Sequence, residues 1–142
     1  MTDEDWKKVK YFKKAEFVCP CCGRCEMDKE LIWKLDLLRE LVGKPLIIES
    51  GFRCEKHNRA IGGAENSAHL RGKAADIRCT NSLLRYKILK YAFYIGFPRI
   101  GIAKNFIHID VDRTLYHPRV WLYPPKKKKR KGGKNEAGSY TS

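Results

Sequence analysis

Four histidines occur in the 142 residues, at positions 57, 69, 108 and 117, and two of them have neighbours suited to metal chemistry. His69 is followed, after six intervening residues, by Asp76 in SAHLRGKAAD, and His108 stands beside Asp110 in FIHID. Two imidazoles and one carboxylate make a ligand set for a catalytic zinc, which takes three protein ligands and leaves a position for water. Each residue also has an ordinary explanation. An isolated histidine is commonly a hydrogen-bonding side chain, and an aspartate at a strand end is commonly a turn former, so spacing alone leaves the choice open. His57, in a loop, and His117, before Pro118, read as a polar loop group and a structural residue.

Six cysteines stand at positions 19, 21, 22, 25, 54 and 79. The first residues, MTDEDWKKVKYFKK, lack the apolar block of a secretory signal, so synthesis in the reducing cytoplasm is expected and a disulfide framework is not. Cys19, Cys21, Cys22 and Cys25 form a C-x-C-C-x-x-C cluster with two readings. One is a structural zinc site, although such sites usually pair two knuckles far apart in sequence. The other is a cysteine-rich turn packed under the first helix.

The elements that must position these groups follow from periodicity and punctuation. Leu31, Leu35, Leu38 and Val42 recur at helical spacing, Asp28 supplies an N-cap, and Gly43 with Pro45 stops the helix. Residues 46–49 (LIIE) predict a short strand that delivers the chain into a loop over 52–64, where Gly62 and Gly63 make a turn. Residues 74–77 predict a second strand. Leu84, Ile88, Tyr91 and Ile95 mark a second helix after Asn81, ended by Gly96 and Pro98. Residues 99–103 and 106–111 predict a tight hairpin about Lys104 and Asn105. Alternation along the second hairpin strand puts Phe106, His108 and Asp110 on one face and Ile107, Ile109 and Val111 on the other, which goes to the core. The expected fold is α+β, a small, mainly antiparallel sheet carrying the candidate ligands, with the two amphipathic helices on its apolar face.

This length suits one domain, placed at 1–125, with an irregular, cysteine-rich lead-in over 1–27 anchored by Phe12 and Phe17. A hydrophobic share of 43% excludes a wholly disordered chain, and no stretch approaches the ~20 apolar residues of a membrane span. A monomer is expected. The formal charge is +14, and seven of the cations fall between positions 126 and 134, in a tail (126–142) too polar to fold. Such a balance draws a protein toward anionic polymers, whether nucleic acid, acidic lipid or cell-wall polymer, without choosing among them.

The run SGFRCEKHNRAIGGAENSAHLRGKAADI, followed after a helix by RIGIAKNFIHIDVD, resembles the M15 metallopeptidases, which include zinc D-Ala-D-Ala carboxypeptidases and phage L-alanyl-D-glutamate endolysins. The run is especially similar to the short M15A-like members encoded by phages and prophages, and the resemblance covers roughly residues 16–123. Four separated elements carry it in order: S-G-x-R, S-x-H, an aspartate after six intervening residues, and a strand histidine. The resemblance implies a hedgehog/DD-peptidase-like fold, zinc (Zn2+) on His69, Asp76 and His108, and hydrolysis of amide bonds in peptidoglycan stem peptides at the bacterial cell wall. It also implies that Arg53 lines the cleft and binds a substrate carboxylate or polarised carbonyl, a task suited to a fixed guanidinium fork. Ser67 then contacts substrate or positions His69.

The pattern departs from the family at one position. Relatives carry an acidic general base three residues before the last histidine, where this chain has Asn105, and an amide cannot take a proton from water at neutral pH. Asp110 shares the face of His108 and is either the replacement base or a group orienting the imidazole; Asp112 lies farther along the same face and is the poorer choice. Two rival functions remain. One is a polyanion- or nucleic-acid-binding protein that uses the basic tail and a cysteine knuckle. The other is a degenerate family member that binds wall peptide without cutting it.

Overall fold

Thr2 and Asp5 cap each other reciprocally, the Asp5 N–H donating to Thr2 Oγ1 at 3.1 Å and the Thr2 N–H to Asp5 Oδ2 at 2.8 Å, and this starts a short helix, α1 (Asp3–Lys7). The computed structural model describes residues 1–125, so the tail expected over 126–142 lies outside the described residues. The lead-in is more regular than its sequence predicts. After α1 comes a 3₁₀ turn (Lys14–Phe17), and Phe12, Phe17 and Cys19 are buried. The ring of Phe17 lies 5.7 Å from those of both Trp6 and Phe12. A five-residue helix is too short to show a period, which is why only its anchors are legible in sequence.

Helix α2 (Lys29–Val42) begins where Asp28 accepts the Leu31 N–H at 3.2 Å and ends at Gly43, whose φ of 72° is the left-handed conformation that glycine adopts without strain. The stripe Leu31, Leu35, Leu38 and Val42 is buried as its spacing requires. Asp36, on the same helix, accepts the backbone N–H groups of Lys10 and Tyr11 at 2.7 and 2.9 Å and so fastens the lead-in. Strand β1 (Ile48–Ser50) follows. Within the segment expected to be loop, Cys54 caps a short helix, α3 (Glu55–Ala60). Beyond it lie β2 (Ala74–Arg78), α4 (Ser82–Ile95, capped by Asn81), β3 (Arg99–Ile102), β4 (Phe106–Asp110) and β5 (Arg119–Leu122).

The fold is α+β. The sheet runs β1-β2-β4-β3-β5, antiparallel at every junction except the last, where β5 lies parallel to β3. Strand β5 is the element the sequence hides: it sits at the sheet edge with Arg119, Val120 and Leu122 exposed, so it lacks the in-out alternation of a half-buried strand. Helices α2 and α4 pack together and share one apolar core with Ala75, Ile77, Ile100, Ile107 and Ile109 from one face of the sheet. The register then aligns Ser50, Asp76, His108, Gly101 and Trp121 as a single row across all five strands, on the opposite face.

No helix of the described residues is long and apolar enough to cross a membrane.

Candidate metal centre

Two of the candidate ligands come from neighbouring strands. Asp76 on β2 is the Cα partner of His108 on β4, and Asp76 Oδ1 lies 2.8 Å from His108 Nδ1. The third, His69, rides on a 3₁₀ turn (Ala68–Arg71) whose start is capped by Ser67, the His69 N–H donating to Ser67 Oγ at 3.2 Å. Gly72 ends that turn at φ 68°, and a Cβ there would sit 1.6 Å from the Glu26 carbonyl oxygen, so only glycine lets the turn close against the residues leading into α2. The turn delivers His69 Nε2 to 3.2 Å from the same Asp76 Oδ1.

His69 Nε2 or Nδ1, Asp76 carboxylate oxygen and His108 nitrogen thus supply three ligand atoms within 4.8 Å of one another. Each imidazole has its far nitrogen engaged. His69 Nδ1 is 2.8 Å from the Gly51 carbonyl, to which it donates, so Nε2 faces Asp76 with its lone pair. His108 Nε2 donates to Asp110 Oδ2 at 2.7 Å, leaving Nδ1 on the inner side. This is the arrangement in which outer hydrogen bonds fix the tautomer and ring orientation of metal-binding histidines. Burial lowers the pKa of His69, against the pull of Asp76. Burial acts the same way on His108, but its bonds to Asp110 and Asp76 outweigh it and hold that imidazole above its ordinary value. Burial would raise the Asp76 carboxyl, yet His69 and His108 keep it well below the usual carboxylate range. The donor set is therefore two imidazoles around an anionic carboxylate, which fits a divalent zinc ion.

Arg53 stands at the rim of this group. Its Nη2 donates to Asp76 Oδ2 at 3.2 Å, its Nε to Ser50 Oγ at 2.9 Å and its Nη1 to Asn58 Oδ1 at 3.3 Å, while its backbone N–H bonds the His69 carbonyl at 3.1 Å. Asp76 and Arg53 keep 8% exposure each, whereas His69 and His108 have none, so the centre is approached past the carboxylate and the guanidinium. Ser67, expected at the substrate or behind His69, has no exposed surface, and its hydroxyl accepts the His69 N–H within the turn.

Asp110 also lies behind its histidine. Its Oδ2 accepts from His108 and, at 3.0 Å, from Arg99 Nε; its Oδ1 accepts the Asp112 N–H at 3.0 Å; and it is wholly buried. Both oxygens of this carboxylate are thus engaged, and the residue has no accessible surface. Asp112 is likewise tied to Arg71 and Thr114. Asn105 falls in the turn of the hairpin before β4, where its carbonyl accepts the Cys79 N–H at 2.9 Å. His57 on α3 and His117, bonded to the Leu115 carbonyl, do not join the group.

Two contributors escape sequence reasoning. Arg99 is the Cα partner of Asp110, a relationship legible only once the hairpin register is known. Trp121 lies 5.4 Å from the His108 ring and has the Arg99 guanidinium 4.7 Å over it, and a Cβ on its partner Gly101 would come within 2.7 Å of the indole, so glycine there admits the tryptophan. The cysteine cluster is also redrawn. Cys19, Cys21 and Cys22 gather with Cys54, while Cys25 turns away toward the Lys14 carbonyl.

Comparison with known proteins places these residues in context. A family model described as Peptidase M15 matches residues 10–110. The zinc D-Ala-D-Ala carboxypeptidase of Streptomyces albus G is 45% identical over 47 residues, a stretch covering 32% of this chain and 18% of that protein. The likeness thus spans less than a fifth of the length of that relative.

Proposed function

Because the chain belongs to the M15 peptidase family, we propose that it is a zinc-dependent peptidase that hydrolyses amide bonds in peptidoglycan stem peptides at the bacterial cell wall. The observation that carries this reading is the convergence of His69, Asp76 and His108 within 4.8 Å, with the outer nitrogens of both imidazoles tied to Gly51 and Asp110. The carboxypeptidase of Streptomyces albus G supports zinc as the ion and a D-alanyl peptide as the kind of substrate.

In this reading His69, Asp76 and His108 hold the ion. Bound there, zinc supplies Lewis acidity, making water acidic near neutral pH and drawing charge from an amide carbonyl. The chain's own residues do the rest. Asp110 keeps the His108 Nε2 proton and so presents Nδ1 inward. Ser67 and the Gly51 carbonyl set the orientation of His69. Arg53, fixed by Ser50, Asn58 and Asp76, offers a rigid cation at the rim to a substrate carboxylate or to the oxygen of the amide under attack. Trp121 packs beside the His108 ring, 5.4 Å away.

One observation favours a second reading, a member that binds wall peptide without cutting it: Asn105 replaces the family's acidic residue, and Asp110 is fully committed behind His108. The experiment that separates the two is incubation of the zinc-loaded protein with defined stem peptides, some ending in D-Ala-D-Ala and others containing an L-Ala-D-Glu bond, followed by mass spectrometry. A product that requires zinc and vanishes in His69→Ala supports the peptidase and identifies the bond. Retained peptide binding with no product from any substrate supports the binder. Removal of residues 126–142 is expected to leave turnover of small peptides unchanged, whereas a tail-driven polyanion binder would lose its activity.

A further inference from the structure

Away from the histidine centre, four thiols converge that the proposed chemistry does not use. The sulfurs of Cys19, Cys21, Cys22 and Cys54 all lie within 4.8 Å of one another, with Cys54 3.7 Å from Cys19 and 3.5 Å from Cys21. Four sulfurs ~2.3 Å from a tetrahedral zinc stand about 3.8 Å apart, whereas a disulfide needs about 2.05 Å. All four are free thiols. A disulfide would use only two of them and would leave the other pair without a reason to be there.

One backbone donor is aimed at the group, the His57 N–H reaching Cys54 Sγ at 3.4 Å. The loop is closed by Cys19 N–H to the Arg24 carbonyl at 2.7 Å and Gly23 N–H to the Cys19 carbonyl at 2.8 Å, with Gly23 at φ 72°. Cys19 is buried while Cys21 and Cys22 are exposed, so apolar packing does not account for the gathering of all four. The cluster also joins two parts of the chain, the lead-in and the residue that follows Arg53, at a place where the Phe52 N–H already bonds the Phe17 carbonyl at 2.9 Å.

We propose that Cys19, Cys21, Cys22 and Cys54 form a second, structural zinc site that clamps the lead-in to the segment carrying Arg53. The site is closed, with four protein ligands and no position for substrate, in contrast to the three-ligand centre on the other motif. It stands or falls independently of the peptidase reading. Its consequence for the molecule is that Arg53 is held from both sides: by its own guanidinium bonds and by the metal ligand next to it in the chain.

The test is zinc counting by elemental analysis on the full chain purified with reductant, together with cobalt substitution. The expected result is two zinc ions in the wild type, one in His69→Ala/His108→Ala, and one in Cys22→Ser. The double histidine variant, loaded with cobalt, should show thiolate-to-cobalt charge-transfer absorption. That spectrum decides the matter even if Cys22→Ser does not fold. If the histidine centre takes no metal, the wild type holds one zinc that survives in the double variant, which upholds the cysteine site and refutes the other. A zinc lost entirely in the double variant, absence of the charge-transfer band, or a Cys19–Cys54 or Cys21–Cys54 disulfide in protein kept under reductant overturns the proposal.

Discussion

Asp76 and His108 face each other directly across the β2 and β4 pairing, and one carboxylate oxygen, Oδ1, lies 2.8 Å from His108 Nδ1 and 3.2 Å from His69 Nε2. Replacing Asp76 by asparagine keeps the shape and removes the charge. The expected outcome is loss of zinc affinity by more than ~100-fold, beyond the 10–100-fold typical of outer partners, with Arg53 left without its ion pair. Competition with a chromophoric chelator reads the affinity; an Asp76→Asn protein that holds zinc as tightly as wild type would remove Asp76 from the ligand set.

Asp110 has a different signature. Its carboxylate spans His108 Nε2 and Arg99 Nε in a site where both side chains of the ion pair are at most 1% exposed. Asp110→Asn is expected to cost about 10–100-fold in zinc affinity, with turnover falling in parallel. A residue that takes the proton from water would instead lose turnover and keep its metal. Asp110→Ala leaves Arg99 as an uncompensated buried charge, which typically costs ~3–5 kcal/mol, visible as a lower midpoint in urea.

These two residues also mark how far sequence reasoning reaches. The helices are legible because Asp28 and Asn81 cap them, apolar residues recur every three or four positions, and Gly43 and Gly96 end them. The β3–β4 hairpin is legible too, and with it the shared face of His108 and Asp110. What alternation cannot supply is what covers that face. The role of Asp110 turns on Arg99, which sits opposite it across the hairpin, and on Trp121, from an edge strand with no alternation to betray it. His69 rides on a turn, whose side-chain direction no periodicity fixes; only the resemblance to a known family links it to Asp76 and His108. Cys54 joins Cys19 across 35 residues, so the local C-x-C-C-x-x-C pattern points to Cys25 in its place.

Helix α2 is pinned to the chain beyond β4 by Glu30, which accepts Arg113 Nη1 and Nη2 at 2.8 and 2.9 Å and Lys34 Nζ at 2.8 Å. The Arg113 and Lys34 hydrogen bonds bring the Glu30 pKa down from 4.5 to about 2. A carboxyl lowered on folding stabilises fully above its unfolded value and loses that contribution as pH falls through the folded one. The window is therefore from 4.5 down to about 2. Because the Glu30 side chain is 38% exposed, solvent screening limits the contribution to at most ~1 kcal/mol. Glu30→Gln should be less stable than wild type at neutral pH, and the difference should shrink through that window in urea titrations. A difference constant with pH would mean that the charge of Glu30 contributes nothing.

Arg53 permits the sharpest functional test because its guanidinium is held at three points, by Ser50, Asn58 and Asp76, at the edge of the metal ligands. A lysine keeps the charge but cannot span those partners with one ammonium, so Arg53→Lys is not expected to rescue. The expected loss in kcat/KM is ~100-fold or more, the scale of a removed transition-state donor, with zinc content unchanged. A brace for the loop would also lower activity, so the readout must separate the two roles. Peptides with a free C-terminal carboxylate and their amidated counterparts do so. If Arg53 binds a substrate carboxylate, the wild type prefers the free acid and Arg53→Lys loses that preference; if it binds the carbonyl under attack, both substrates slow equally through kcat. A variant that keeps the wild-type preference and kcat while unfolding at lower urea would reduce Arg53 to a structural tie between α3 and the sheet.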